Sequence, residues 1–189
     1  MRQSASNGVL TSWPSTTGIL RYFGLMRAFE QFGDPRHLER GQLTHAACHL
    51  LGNRQELTED WEARHEECAP YLTAYRRFLV EHEFKLLESE TEYVSHVHRF
   101  VSHPDQIGRL DAYGLCNLEL KSGTLPACVA LQTAGQIIAI GIPSMKRFCL
   151  QLCADGTYRL EQHEDFRDLD RFRALVESWW TIREYGVME

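Results

Sequence analysis

The spacing of apolar residues changes between residues 82 and 90, and no other feature of the chain constrains its fold as strongly. Before that point the period is helical. Leu43, Ala46, Ala47, Leu50 and Leu51 recur at i, i+3, i+4, i+7 and i+8, which predicts an amphipathic helix over 37–51 closed by Gly52-Asn53. A helix over about 16–29 is expected ahead of it, behind an extended lead-in at Val9-Leu10-Thr11-Ser12, Pro14 and a capping Ser or Thr. Gly33-Asp34-Pro35 breaks that helix. A long helix over 58–82 carries Trp61, His65, Cys68, Leu72, Tyr75 and Leu79 on one stripe, with a kink expected at Pro70. After the change, 90–99, 107–113 and 115–121 alternate as strands, punctuated by Gly114 and Gly123. The run 129–142 is apolar enough for a buried helix. Residues 147–153 and 157–161 read as a hairpin turning at Asp155-Gly156, and 165–183 as a helix with Leu169, Phe172, Val176, Trp179 and Trp180 inward. The order predicts an α/β fold with a central mixed β-sheet flanked by helices. The 189 residues fit one domain over 1–189.

Composition narrows the class. With 43% hydrophobic and 24% charged residues the chain is far from a disordered protein. No apolar stretch approaches the roughly 18 residues that span a bilayer, so no membrane partner is expected. The polar stretch 1–7 has no apolar run behind it, so no secretory signal is expected. Six scattered cysteines without a paired framework then read as reduced, buried thiols of a cytoplasmic protein. The net charge of −6 argues against a protein that coats nucleic acid passively. It argues less against a metal-dependent nuclease, whose site gathers carboxylates and whose bound cations reverse the local field.

The chemistry concentrates in Gly108-Arg-Leu-Asp111 and Glu119-Leu-Lys121. On a strand, Glu119 and Lys121 point to one face and Leu118 and Leu120 to the other, into the core. A carboxylate and a lysine beside a core are costly to bury unless something pairs them. With Asp111 on the adjoining strand, two carboxylates would suit a hard cation such as Mg²⁺, and the lysine could orient or deprotonate a water for attack on a phosphodiester.

These segments resemble the PD-(D/E)XK nuclease superfamily, in its phage and RecB-type exonuclease branch. Arg40-Gly41-Gln-Leu-Thr-His45 is similar to a helix motif with a metal-site histidine. Gly108-Arg-Leu-Asp111 and Leu118-Glu-Leu-Lys-Ser-Gly123 are similar to the two catalytic strands, and Leu131-Gln-Thr-Ala-Gly-Gln136 to the helix after them. The motifs fall in the family's order and the resemblance extends over roughly 9–180. It implies Asp111 and Glu119 as metal ligands, with the Leu120 carbonyl and His45 completing the site, Lys121 as catalytic lysine, and Gln132 positioning that lysine or a DNA phosphate. It also implies a further glutamate on the preceding strand. Glu90 and Glu92 both qualify, with Glu92 favoured. Leu110 stands where the motif has its proline, and Gln136 where it has a tyrosine; Arg109, Gln132 and Gln136 are then expected to contact DNA.

The function so implied is a Mg²⁺- or Mn²⁺-dependent deoxyribonuclease, an exonuclease of phage or prophage type acting in recombination or repair. Its partners would be linear duplex or single-stranded DNA, a single-strand annealing recombination protein, and further copies of itself. The rival is a catalytically inactive module of the same fold that binds DNA or serves assembly, and it would show a broken Asp–Glu–Lys set. His45 and His49 at i, i+4 also suggest a zinc site, but no glutamate follows His45 as a zinc hydrolase would need. His49 reads instead as a surface or supporting residue. His96, His98 and His103 read as a solvated face, with a DNA-contacting rim as the sharper alternative. Cys149 and Cys153 lack the further closely spaced cysteines of an iron–sulfur cluster.

Overall fold

The change of period becomes a change of layer. A computed structural model describes residues 13–26 and 35–186. In it, α1 (Thr16–Tyr22), α2 (Pro35–Gly52), α3 (Glu59–Arg64) and α4 (Ala69–Glu81) precede every strand described. Then come β1 (Lys85–Ser89), β2 (Tyr93–Ser95), β3 (Phe100–Ser102), β4 (Gln106–Leu110) and β5 (Gly114–Ser122). The chain continues through α5 (Val129–Ile140), β6 (Lys146–Leu152) and β7 (Tyr158–Gln162) into α6 (Arg167–Tyr185). The main sheet has the order β1-β4-β5-β6-β7. It is antiparallel except where β5 runs parallel to β6, a step that α5 makes possible as the crossover helix. The expected mixed sheet flanked by helices is therefore present.

Alternation along the strands sorts the two faces. Leu118 and Leu120 face α2 and α4, packing with Ala47, Cys48, Tyr75 and Phe78. Residues of the opposite face meet α5, which is buried in turn against α1 and α6 through Ile19, Leu20, Phe172 and Val176. Gly135 permits that approach, since a Cβ there would come within 2.6 Å of Phe172 and 2.7 Å of Thr16. Ser15 caps α1, its hydroxyl accepting from the Gly18 amide at 2.9 Å.

Several elements differ from the expectation. The first helix ends at Tyr22, and its expected break at Gly33-Asp34, like the lead-in at 9–12, lies outside the described residues. The helix over 58–82 is divided at His65–Cys68, and Pro70 starts α4 instead of kinking a longer helix, because a first-turn proline loses no helical hydrogen bond. The strand expected over 90–99 is only β2 and the turn at 96–99, after which β3 pairs back on β2 as a hairpin. The edge strand β1, short and mostly exposed, gave no alternating signal. Most consequentially, β4 stops at Leu110. Asp111, Ala112 and Tyr113 form the turn into β5, closed by Gly114 in the left-handed conformation at φ +76°.

Candidate active site

The charged face of β5 meets its partners at the end of the sheet where β4 begins. Gln106 pairs with Leu118, so one further step of the same register places Asp105 opposite Glu119. Asp105 lies just ahead of β4, free of the ladder. Its Oδ2 accepts from the Leu120 amide at 2.7 Å, and its Oδ1 lies 3.7 Å from His45 Nδ1. The amide and carbonyl of one strand residue point the same way, so the Leu120 carbonyl also faces Asp105. The α2 helix lies across this end of the sheet. A Cβ on its Gly41 would meet Ser122 Oγ at 3.4 Å, and Arg40 reaches the Ser122 carbonyl at 3.4 Å while stacking on Tyr71. One turn further His45 faces Asp105, and beyond it His49 hydrogen-bonds Ser89.

Glu119 is 2% exposed and fully engaged. Its Oε1 accepts from Lys121 Nζ and from Gln132 Nε2 at 2.6 Å, and its Oε2 accepts from Gln136 Nε2 at 2.6 Å. Burial and then the charge of Asp105 push the Glu119 carboxyl above its usual range, against the pull of Lys121. Burial alone would raise Asp105 too, but His45, Lys121 and the Leu120 amide overcome it and hold that carboxyl low. Burial opposes the charged forms of Lys121 and His45, yet Glu119 and Asp105 raise the lysine, and Asp105 raises the histidine. Lys121 therefore keeps its proton at neutral pH.

Of the residues expected to form the site, the structure brings together His45, Glu119, Leu120, Lys121 and Gln132. It corrects the others. Asp111 is exposed in the β4–β5 turn, roughly 20 Å along the strand from Asp105 at the rise of an extended chain. It cannot share an ion with Glu119. Glu92 pairs on the surface with His103 at 3.2 Å. Glu90 is the glutamate turned toward the site: its amide donates to the Asp105 carbonyl at 3.4 Å, and burial and then Asp105 raise its carboxyl. The two glutamates do not share a strand face, because β1 ends at Ser89 and the chain bends at Glu90, φ +54°. Gln136 is 1% exposed and bonded to Glu119, so it cannot reach DNA. Arg109 is exposed on β4 four residues beyond Asp105, away from the site.

Asp105 is the residue the sequence reading missed, and its signal was present. Pro104-Asp105, fourteen residues before Glu119, spells the Pro-Asp after which the resembled superfamily is named, whereas Leu110 precedes Asp111. Compared with models of known families and with curated proteins, the chain matches none. No helix among the described residues is long and apolar enough to cross a membrane.

The donors at this site are chiefly oxygen: two carboxylates from adjacent strands, the Leu120 carbonyl, and Glu90 at the rim, with one imidazole. That set fits a hard divalent cation better than zinc. Gln132 Oε1, buried with no donor from the protein, adds an acceptor for a water proton beside Glu119. As the side chains stand, no three His, Cys, Asp or Glu residues among those described are gathered closely enough to chelate an ion; Lys121 neutralises Glu119 instead.

Proposed function

We propose that this chain is a Mg²⁺- or Mn²⁺-dependent deoxyribonuclease with a PD-(D/E)XK core, hydrolysing phosphodiester bonds at Asp105, Glu119 and Lys121. One observation carries the reading: Asp105 and Glu119, opposite one another on neighbouring strands, share Lys121 as counter-charge at the open end of a sheet. A catalytically inactive module of this fold would have no need of that complete and costly set. Asp105, Glu119 and the Leu120 carbonyl would hold the cation, with His45 and Glu90 beside them. When bound, the cation would supply positive charge at the phosphate and acidify a water.

The chain's own groups do the rest. Lys121 keeps its proton, so it acts as a donor that orients the attacking water and meets the charge developing on the phosphate oxygens, rather than as a base. Gln132 bonds Glu119 through its amide nitrogen, which leaves its Oε1 as a buried acceptor without a partner. His45, raised by Asp105, can carry a proton from the water to solvent. Preference for linear ends, a role in recombination or repair beside a single-strand annealing protein, and a cytoplasmic setting in a bacterial or phage-infected cell rest on the resemblance. The test is incubation of end-labelled linear and covalently closed circular DNA with the protein and Mg²⁺ or Mn²⁺. Loss of linear substrate alone is expected. No cleavage of either form would overturn the proposal.

A further inference from the structure

Glu119 carries two oxygens in unequal surroundings. Oε1 is shared by Lys121, whose side chain is 21% exposed, and Gln132. Oε2 is held by Gln136 from the interior. A carboxylate can only accept, so Gln136 must turn its amide nitrogen toward Glu119 and its carbonyl oxygen away. That oxygen meets Asn117, which must then present its own amide nitrogen, and it does so at 2.7 Å. Every amide in the relay is oriented by the charge at its end. The relay stops at Asn117 Oδ1, which is buried with no donor. An unpaired buried acceptor is costly, and a purely space-filling pair such as Leu and Met would not incur that cost.

We propose that Gln136, itself oriented by Asn117, is a positioning residue that fixes the Glu119 carboxylate so that Oε1 is the oxygen a divalent cation meets. The terminal torsion of a glutamate is broad and easily turned. With Oε2 tied inward, a cation arriving from solvent competes with the Lys121 ammonium at Oε1, not with the relay. The resembled family places a tyrosine where this chain has Gln136. Here two amides, one on α5 and one on β5, do the holding. The inference rests on the nuclease reading.

The test is calorimetric titration with Mn²⁺, beside the Mn²⁺ concentration for half-maximal DNA cleavage, on wild type, Gln136→Met, Asn117→Leu and the double variant. Loss of a partner behind a metal ligand typically weakens binding by about 10–100-fold, and Gln136→Met should fall in that range, with cleavage recovering at high Mn²⁺. Asn117→Leu should show a smaller loss in the same direction. In the Gln136→Met background it should add nothing, because the two act through one relay. If Gln136→Met does not fold, Asn117→Leu carries the test alone, since it hydrogen-bonds no atom of Glu119. Wild-type Mn²⁺ affinity in the variants, or fully additive losses, would overturn the positioning role. A wild type that takes up no Mn²⁺ would overturn the nuclease reading and this inference together.

Discussion

Lys121→Met removes the ammonium bonded to Glu119 and keeps most of the side-chain volume. Glu119 is 2% and Lys121 21% exposed, so the pair behaves as a buried one. Removing one partner of such a pair costs about 3–5 kcal/mol. Gln132 and Gln136 remain on Glu119 and His45 remains beside Asp105, which favours the lower end, about 3 kcal/mol at pH 7.5. For a chain of this length that lowers Tm by roughly 6–12 °C. The loss should depend on pH. Glu119 is already held above its usual value, and without the ammonium it rises further. A carboxyl raised on folding destabilises fully above its folded pKa, and the penalty fades as pH falls toward the unfolded value of about 4.3. Urea denaturation of wild type and Lys121→Met at pH 7.5 and pH 5 should therefore show a gap that narrows on acidification. Single-turnover DNA cleavage should fall by about 10²–10³-fold, as for loss of a positioned donor to developing charge. A gap under about 1 kcal/mol at pH 7.5, or one unchanged at pH 5, would refute the electrostatic account of this pair.

Asp105→Asn should abolish cleavage in end-labelled DNA assays, whereas Asp111→Asn, altering an exposed turn, should leave it near wild type; the reverse would restore Asp111 to the site. Glu90→Gln should raise the Mn²⁺ concentration for half-maximal cleavage, and Glu92→Gln, which breaks a surface pair with His103, should not. His163 is buried and its pKa lowered by that burial. Its neutral form therefore stabilises the fold fully above about pH 6.5, and the stability is lost as pH falls toward the folded pKa. Between pH 7.5 and 5.5 the Tm of His163→Gln should drop less than that of wild type, and an equal drop would remove His163 from the acid sensitivity.

Element type was legible from local spacing where the pattern was long. The helices over 37–51 and 165–183, the buried helix over 129–142 and the hairpin at Asp155-Gly156 needed only periodicity and turn residues. Edges were not legible. β1 is short and mostly exposed, and the strand-like run over 90–99 hid a turn at 96–99 that carries the chain from β2 back into β3.

Local spacing alone puts Glu119 and Lys121 together, because side chains two apart on a strand share a face whatever surrounds them. It likewise set Gln132 and Gln136 one turn apart on one side of an apolar helix. Tertiary structure decided which aspartate and which glutamate join that pair. The position of the β4–β5 turn sets the register, and the register carries Asp105 to Glu119 while leaving Asp111 at the far end. The bend after β1 sets Glu90 beside Asp105 at the rim of the site and Glu92 beside His103. Neither the turn nor the bend is a property of its own residues alone, since each depends on which neighbouring strand is there to be paired.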